Sequence, residues 1–260
     1  MSFAVLSYNV LFNKAVSGIP DIYRSLKPDL VCLQEVNTNE ENLKRLELEG
    51  YKLSDYSNSF IKFGNIFGVA TFYNSRSLSY SQSEIINLPR SIYEFISMLI
   101  KGGSNPRTVL RTDFIHLTTK KRLTVYNTHL TAYGTNQVKL RQIEETLGDM
   151  GNVSDHEAIV MAGDLNYFPY GRKKLENLMN KHGFKEATFQ IPYTFKYSHD
   201  GIFEKYNILK KLSGKLYRKL FSTNKIKLDY IFYKNLHLIT AKRLNIRLSD
   251  HYPIISSYKL

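Results

Sequence analysis

Several apolar runs of this sequence end abruptly in polar or charged side chains. The clearest case is residues 159–166, Ile-Val-Met-Ala-Gly-Asp-Leu-Asn, an apolar run that stops at Asp164 and Asn166. Such a run is typical of a strand buried on both faces, and sites commonly lie at the carboxyl ends of such strands. On extended backbone the two side chains point the same way and can hold and activate a water molecule. An Asp-x-Asn after a strand is also typical of a turn or a helix cap.

Similar groups stand at the ends of runs earlier in the chain. Asn9 ends the first apolar run, and His129 follows a predicted strand at residues 122–128 that alternates around Leu123 and Val125. Glu35 comes directly after the run at residues 30–34, where a carboxylate is costly to bury unless it is paired or bound to a cation. Each of these residues has an ordinary structural role as an alternative, and their repeated position at strand ends is what makes them candidate site residues.

A carboxylate–imidazole group stands in the C-terminal part of the sequence. Asp229 lies near the start of a predicted strand, and Asp250 and His251 directly precede the last one. An aspartate on a neighbouring strand can orient an imidazole and favour its cation. The candidate residues together offer oxygen and imidazole ligands but no thiolate, which suits Mg²⁺ or Mn²⁺ better than Zn²⁺. A divalent cation, an activated water and two imidazoles are suited to cleaving a phosphate ester.

Alternating strands and helices must position these residues. Helices are predicted at residues 19–26, 39–48, 136–147 and 172–182. Strands are predicted at residues 3–8, 30–34, 66–73, 108–117, 122–128, 159–163, 193–197, 228–233, 236–246 and 254–258. Because no internal repeat or convincing linker interrupts the pattern, we predict a single domain over residues 1–260, with insertions at about 75–106 and 200–227.

The two insertions have distinct compositions. Residues 75–101 are rich in Ile, Leu and Phe and are predicted to form a short helix packed on the core; an apolar loop that touches lipid or a base is the alternative. Residues 202–227 repeat Leu and Tyr at helical spacing between many basic residues. A basic amphipathic helix suits a membrane surface or a phosphate backbone, and a solvated surface helix is equally consistent with this pattern.

Composition narrows the range of partners and compartments. The formal net charge of +13 favours nucleic acid or an anionic membrane surface as a partner, although codon bias toward Lys also explains it. The single cysteine, Cys32, cannot form an internal disulfide, which favours a reducing compartment. The N-terminus lacks a basic signal-peptide region, and no segment approaches the roughly 18 apolar residues of a membrane span. We therefore predict a cytoplasmic, monomeric protein.

Six short motifs, in order along the chain, resemble those of the endonuclease/exonuclease/phosphatase superfamily. They are Ser-Tyr-Asn9, Leu-Gln-Glu35-Val, Asn-Thr-His129-Leu, Gly-Asp164-Leu-Asn166, Leu-Asp229-Tyr-Ile-Phe and Ser-Asp250-His251-Tyr-Pro-Ile. Each motif is modest, but six in family order are specific and span essentially the whole chain. The resemblance implies an α+β fold, a four-layer αββα sandwich in which two mixed β-sheets pack face to face with helices outside.

The resemblance also implies a role for each candidate residue. Glu35 binds the metal, Mg²⁺ or Mn²⁺, with Asn9 and Asp250 close to it directly or through water. Asp164 is the base for the attacking water, and Asn166 orients that water or the phosphate.

The two histidines then contact the phosphate from opposite sides. His251, held by Asp229, acts as an acid or stabilises the transition state, and His129 does likewise. His129 stands where apurinic endonucleases carry Tyr, so the match favours the deoxyribonuclease, sphingomyelinase and tyrosyl-phosphodiesterase branches. Arg107 or Arg111 falls where relatives carry a phosphate-binding arginine.

The implied function is a magnesium-dependent phosphodiesterase that hydrolyses a phosphate ester by metal- and Asp-assisted water attack. The charge and the basic insertion favour nucleic acid as the substrate, as for an endonuclease or exonuclease. A phospholipid phosphodiesterase of the sphingomyelinase type, or a phosphatase acting on a phosphoinositide monoester, is the alternative.

Overall fold

The computed structural model describes residues 2–89, 107–132, 134–154, 156–196 and 225–260. The helices of these residues are α1 (Ile19–Leu26), α2 (Glu40–Arg45), α3 (Asn136–Met150) and α4 (Arg172–Lys181). The strands are β1 (Ser2–Asn9), β2 (Leu30–Asn37), β3 (Tyr51–Lys62), β4 (Asn65–Asn74), β5 (Leu78–Asn87), β6 (Thr108–His116), β7 (Arg122–His129), β8 (Ala158–Asp164), β9 (Lys185–Glu186), β10 (Phe195–Lys196), β11 (Lys225–Ile226), β12 (Asp229–Lys234), β13 (His237–Arg243) and β14 (Ile254–Lys259).

Two six-stranded mixed sheets pack face to face. The first has the strand order β13-β14-β1-β2-β4-β3 and the second β5-β6-β7-β8-β12-β9. One apolar cluster fills the space between the sheets, with Val5 and Cys32 from the first and Val125 and Val160 from the second. Separate clusters join the first sheet to α1 and α2, and the second sheet to α3 and α4. The predicted αββα sandwich is therefore confirmed.

Strand direction brings the ends of three strands of the second sheet side by side. Strands β7 and β8 are parallel, so that His129 at the end of β7 is the register partner of Asp164 at the end of β8. Strand β12 runs antiparallel to β8 and begins beside it, where Asp229 pairs with Asp164. In the first sheet, β1 and β2 are parallel, and Asn9 lies beside Gln34. Both sheets thus present polar residues at one rim.

Glu35 lies within a strand and not after one, contrary to the sequence prediction. Strand β2 continues to Asn37, but its pairing with β4 shifts register between Gln34 and Val36. Glu35 is the extra residue of this bulge and has a left-handed backbone, with φ of 55°. A bulge re-aims one side chain without ending the strand, so the apolar run could not reveal it.

Gly163 allows β7 and β8 to approach closely just before the site. A Cβ at this position would lie 1.9 Å from the Thr128 carbonyl oxygen. We expect Gly163→Ala to destabilise the protein by about 2 kcal/mol or more in urea unfolding, because backbone must move to accommodate the methyl group. Gly148→Ala on α3, where a Cβ meets open space, is the control and is expected to be slightly stabilising. An unchanged free energy of unfolding in Gly163→Ala would contradict this account.

Two strands of the structure were not predicted as strands from the sequence. Residues 78–87 form strand β5 at the edge of the second sheet, not a helix, and the long strand β3 was not predicted at all. Both strands mix polar and apolar residues without clear alternation. Residues 90–101 of the predicted apolar segment and most of the basic insertion lie outside the described residues. No helix of the described residues combines the length and apolar character that crossing a membrane requires.

Candidate active site

One carboxylate oxygen, Oδ2 of Asp164, is the centre of the polar cluster at the sheet rim. Asn9 Nδ2 donates to it at 3.0 Å. His129 Nε2 and His251 Nε2 each lie 3.7 Å away. All four side chains are buried, so that these groups interact in a poorly solvated environment. The cluster joins residues of both sheets around a single oxygen atom.

Glu35 faces Asp164 across Asn9. Nδ2 of Asn9 lies 3.3 Å from Glu35 Oε1 as well as 3.0 Å from Asp164 Oδ2. The backbone N–H of Leu11 donates to Asn9 Oδ1 at 3.0 Å, and that of Phe12 donates to Glu35 Oε2 at 3.3 Å. These contacts fix the orientation of both side chains. Two carboxylates are therefore held close together, which is unfavourable unless a cation or a proton is shared between them.

Backbone in the left-handed region is concentrated around these two residues. Leu11, Phe12 and Asn13 have φ values of 45°, 50° and 68°, beside Glu35 at 55°. The loop is joined to the bulge because Asn13 N donates to the Glu35 carbonyl at 3.0 Å. Left-handed backbone costs about 1–3 kcal/mol for a bulky residue and persists only where surrounding contacts impose it. Such strain is often found at functional sites.

His251 is held as a cation by two aspartates. Its Nδ1 donates to Asp229 Oδ2 at 2.8 Å, which directs Nε2 toward Asp164. Burial lowers the pKa of His251, but attraction to Asp229 and Asp164 outweighs this and raises the pKa to about 10. Asp229 is in turn fixed by Thr194, whose Oγ1 accepts from the Asp229 N–H at 3.0 Å. The imidazole also packs edge-on against Phe195 of β10, with ring centroids 5.0 Å apart.

His129 is held neutral, in contrast to His251. Arg107 Nη1 lies 3.3 Å from His129 Nδ1, and because arginine only donates, Nδ1 accepts and Nε2 carries the proton. Burial lowers the pKa of His129 well below its ordinary value, and the charges of Arg107 and His251 lower it further. The Nε2–H group faces Asp164 and, at 3.8 Å, Glu35 Oε1. The site thus combines one neutral imidazole with one imidazolium.

Burial raises the pKa of Asp164 to about 7, although His251 and the hydrogen bonds from Asn166 and Asn9 act in the opposite direction. A carboxyl group with a pKa near neutrality is well matched to proton transfer. A divalent cation nearby would lower this pKa and leave the group ionised.

Asn166 adopts a turn and not the extended backbone that was predicted. Its φ is 49°, and its backbone N–H donates to Asp164 Oδ1 at 2.9 Å. Its side-chain Nδ2 donates to the Leu130 carbonyl at 3.1 Å, next to His129. The side chains of Asp164 and Asn166 therefore do not point the same way along a strand. Asn166 instead links the segment after β8 to the segment after β7.

Asp250 lies at the edge of the cluster. It is half-buried, and its Oδ1 accepts from Ser249 Oγ at 3.4 Å. Its carbonyl oxygen accepts from the Lys196 N–H at 2.9 Å, which joins it to β10. Its negative charge contributes to the raised pKa of His251 and raises the pKa of Tyr8. The structure does not bring its carboxylate into direct contact with Asn9 or Glu35.

Two groups of ligands are suitable for a divalent cation. Asp164, Asp229 and His251 each place a ligand atom within 4.8 Å of the others. However, His251 Nδ1 and Asp229 Oδ2 are already hydrogen-bonded to each other, and this hydrogen bond competes with metal binding at those two atoms. The facing carboxylates of Glu35 and Asp164 give oxygen ligands of the kind that Mg²⁺ prefers.

Some residues around the site were not identified from sequence. Gln34 and Asn127 are buried polar residues inside strands, and Gln34 Nε2 donates to Asn127 Oδ1 at 2.8 Å, from one sheet to the other. Their position one residue before Glu35 and two residues before His129 was the available signal. Of the two candidate arginines, Arg107 contacts the site, whereas Arg111 is held by Glu84, Asp113 and Asp149.

The fold is similar to several known structures. The human Nocturnin catalytic domain with bound sulfate aligns with a TM-score of 0.70 at 17% identity, covering 99% of this chain and 93% of that chain. D. rerio TDP2, complexed with a single-strand DNA product, gives 0.69 at 15% identity over 100% and 99% of the chains. The Bacteroides thetaiotaomicron mannosyl-6-phosphatase Bt3783 gives 0.69 at 16% identity over 99% and 100%. At these identities the likeness concerns the fold.

A sequence comparison extends this result from the fold to the family. No match was found among curated protein sequences. A sequence model of the Endonuclease/Exonuclease/phosphatase family matches residues 6–251, nearly the whole chain, and this range includes every candidate residue from Asn9 to His251. The chain therefore belongs to the Endonuclease/Exonuclease/phosphatase family, whose members are hydrolases acting on phosphate esters.

Proposed function

We propose that the protein is a magnesium-dependent phosphodiesterase that cleaves nucleic acid. The observation that carries the proposal is the set of contacts to Asp164 Oδ2. These contacts join a carboxylate, an amide, one neutral imidazole and one imidazolium. A water molecule beside Asp164 would face a phosphate held between His129 and His251. This arrangement suits an in-line attack on phosphorus better than it suits acyl transfer, because the described residues of the cluster include no nucleophilic Ser or Cys.

The chain's own residues divide the work in this proposal. Asp164 takes the proton of the attacking water. Asn166 orients Asp164 by linking the segment after β8 to the segment after β7. His251, kept protonated by Asp229, donates a hydrogen bond to a phosphoryl oxygen or a proton to the leaving oxygen. His129 donates its Nε2–H from the other side, since Arg107 fixes that tautomer.

Glu35, with Asn9 and Asp250, would hold the divalent cation. The fit rests on a buried carboxylate, Asp164, and a half-buried one, Glu35, which face each other across one amide nitrogen and need a positive charge between them. When bound, Mg²⁺ supplies stabilisation of charge on the phosphoryl oxygens. The separate position of Asp250 suits a contact through water.

The position of the basic insertion favours nucleic acid among phosphate esters. Lys196, which precedes the insertion, pairs in the β10–β11 ladder with Lys225 near the C-terminal end of the insertion, and Phe195 of that ladder contacts His251. The insertion therefore begins and ends beside the site. Together with the net charge of +13, this supports an extended polyanion as the substrate. TDP2, one of the similar structures, was determined with single-strand DNA product.

A substrate panel in Mg²⁺ tests the proposal. We expect cleavage of a single-stranded or plasmid DNA or of RNA, no release of phosphocholine from sphingomyelin vesicles, and little phosphate from a phosphoinositide or sugar monophosphate. Excess EDTA should abolish cleavage, and added Mg²⁺ should restore it. Turnover of the lipid or of the monoester, with nucleic acid left intact, would refute the nucleic acid substrate and favour the sphingomyelinase-type or phosphatase alternative.

The salt dependence of binding tests the role of the insertion. We expect replacement of its basic residues by Gln to weaken single-strand binding and to reduce the slope of log affinity against log salt by about 0.7 for each phosphate that is no longer neutralised. The changes are made at Lys210, Lys211, Lys215, Arg218 and Lys219.

A matched control removes the same number of charges from the opposite end of the sheets. Its exposed residues are Lys27, Lys52, Lys120, Lys121 and Arg122. Fluorescence anisotropy over a range of salt concentrations measures both variants. Equal slopes in the two would mean that net charge alone acts and that the insertion is a solvated face.

A further inference from the structure

Helix α3 turns a polar face toward the protein interior near the site. Asn136, Lys139, Gln142 and Thr146 recur every three or four residues and are all buried. Residues at this spacing share one face of a helix, and the face that packs on a core is ordinarily apolar. Buried polar groups are unfavourable unless hydrogen-bonded, so each of these side chains requires a reason for its burial.

Two of these residues hold the segments that follow the site strands. Asn136 accepts from the Phe168 N–H at 2.9 Å and donates to the Phe168 carbonyl at 2.8 Å, just beyond Asn166. Gln142 Oε1 accepts from the Thr131 N–H at 3.1 Å, just beyond His129. Helix α3 therefore fixes the segments after β7 and β8 relative to each other.

Lys139 lies between these two residues without a comparable partner. Its side chain is fully buried, and among the described residues no acceptor is within hydrogen-bonding distance of Nζ. Nζ lies 3.7 Å from the centroid of the Phe168 ring, a cation–π contact. Burial lowers the pKa of Lys139 to about 8, against the attraction of Asp164, so the group is still mainly charged at pH 7.

Stability alone does not account for this lysine. A buried ammonium that lacks hydrogen bonds is strongly unfavourable, and a cation–π contact offsets only part of the missing hydration. Methionine has a similar length and would fill the same space without that cost. A charge that weakens the fold at this position must be useful in another way.

We propose that Lys139 is a positioning residue of the active site, which fixes the segment after Asp164 through the Phe168 ring and provides a positive charge that attracts Asp164. Because no acceptor among the described residues forms a hydrogen bond with the ammonium, its charge acts on the site in a poorly solvated environment. It offsets part of the negative charge that an approaching phosphate meets at Asp164. The inference rests on the proposed position of the phosphate, but not on nucleic acid as the substrate.

Lys139→Met separates this role from a structural one, because the two roles predict opposite changes. We expect the melting temperature to rise by about 2–4 °C for each kcal/mol of removed desolvation cost. We expect kcat for bis(p-nitrophenyl) phosphate to fall by about 10- to 100-fold, with KM nearly unchanged. This is the size of effect that is typical of residues that orient a metal ligand without touching the metal. Arg141→Met, which removes an exposed charge from the same helix, is the matched control and should change neither quantity.

Lys139→Arg tests whether charge or shape matters. It keeps the charge and the ring contact, so we expect it to retain more of kcat than the methionine variant even where its larger size lowers the melting temperature. A methionine variant with wild-type kcat would overturn the proposal, as would one that is less stable than the wild type or does not fold. An equal decrease of kcat in both variants would also overturn it.

The artificial diester keeps this test independent of the natural substrate. A wild-type enzyme that cleaves the diester but no nucleic acid would refute the proposed substrate and leave the comparison of the Lys139 variants valid.

Discussion

Asp164→Asn is expected to lower kcat by about 10³-fold, within the range that general base catalysis contributes. The amide has nearly the same shape but cannot accept the proton of the attacking water. It also removes the oxygen charge that faces His129 and His251. Because the buried carboxylate already carries a desolvation cost, we expect the variant to fold and to unfold at a temperature near that of the wild type. Steady-state kinetics and thermal unfolding on the same sample measure both quantities.

Asp113→Asn is the control for losing a buried carboxylate. Asp113 lies in the middle of β6, where it binds Arg111 and accepts from Thr124 Oγ1 at 2.7 Å. We expect this variant to lose stability and to keep kcat. If Asp164→Asn retained kcat within about tenfold of the wild type, Asp164 would not be the base.

The second large effect is expected at the His251–Asp229 pair. His251→Ala should lower kcat by about 10²–10⁴-fold, since it removes the imidazolium that faces the phosphate. Asp229→Asn keeps the imidazole but removes the main attraction that raises the pKa of His251 to about 10. The imidazolium of this variant is therefore deprotonated at lower pH, and the alkaline limb of the profile of kcat against pH should move to lower pH.

The same pair stabilises the folded protein by an amount that depends on pH. The folded-state pKa of His251 is raised above the ordinary value of about 6.5, so its contribution is complete below pH 6.5 and is lost as pH rises toward 10. We expect the stability difference between wild type and Asp229→Asn to shrink across that window. His116→Ala, at the opposite end of β6, should leave the pH profile of kcat unchanged. An unshifted alkaline limb in Asp229→Asn would contradict the assigned role of the pair.

The predicted fold class is confirmed because buried strands have a strong sequence signature. The apolar run at residues 159–163 and the alternating pattern at residues 122–128 need no tertiary information to be recognised. Strand β3 lacked this signature, since most of its residues are exposed or only partly buried and it contains two register shifts. Strand β5 is an exposed edge with a similar mixture. Their strand structure depends on neighbours that a linear pattern does not contain.

Residue types and strand ends predict which side chains form the candidate site, but not the local backbone geometry that orients them. Their position at strand ends indicated Asn9, Asp164 and His251. In the structure, Asn9 and His251 both approach the carboxylate of Asp164. The catalytic roles of the three residues stay predictions. The bulge at Glu35 and the turn at Asn166 depend on left-handed backbone, which neither residue type announces. The buried Lys139 was missed because an amphipathic helix was expected to turn its charges outward.

The pairing of β14 with β1 has a consequence for the time at which activity arises. Strand β14 lies between β13 and β1, so the first sheet is complete only after β14 has paired with β1, which is far from it in sequence. The imidazole of His251 comes just before β14 in sequence. During synthesis on the ribosome, the growing polypeptide therefore cannot assemble a competent centre until this late strand has emerged and inserted.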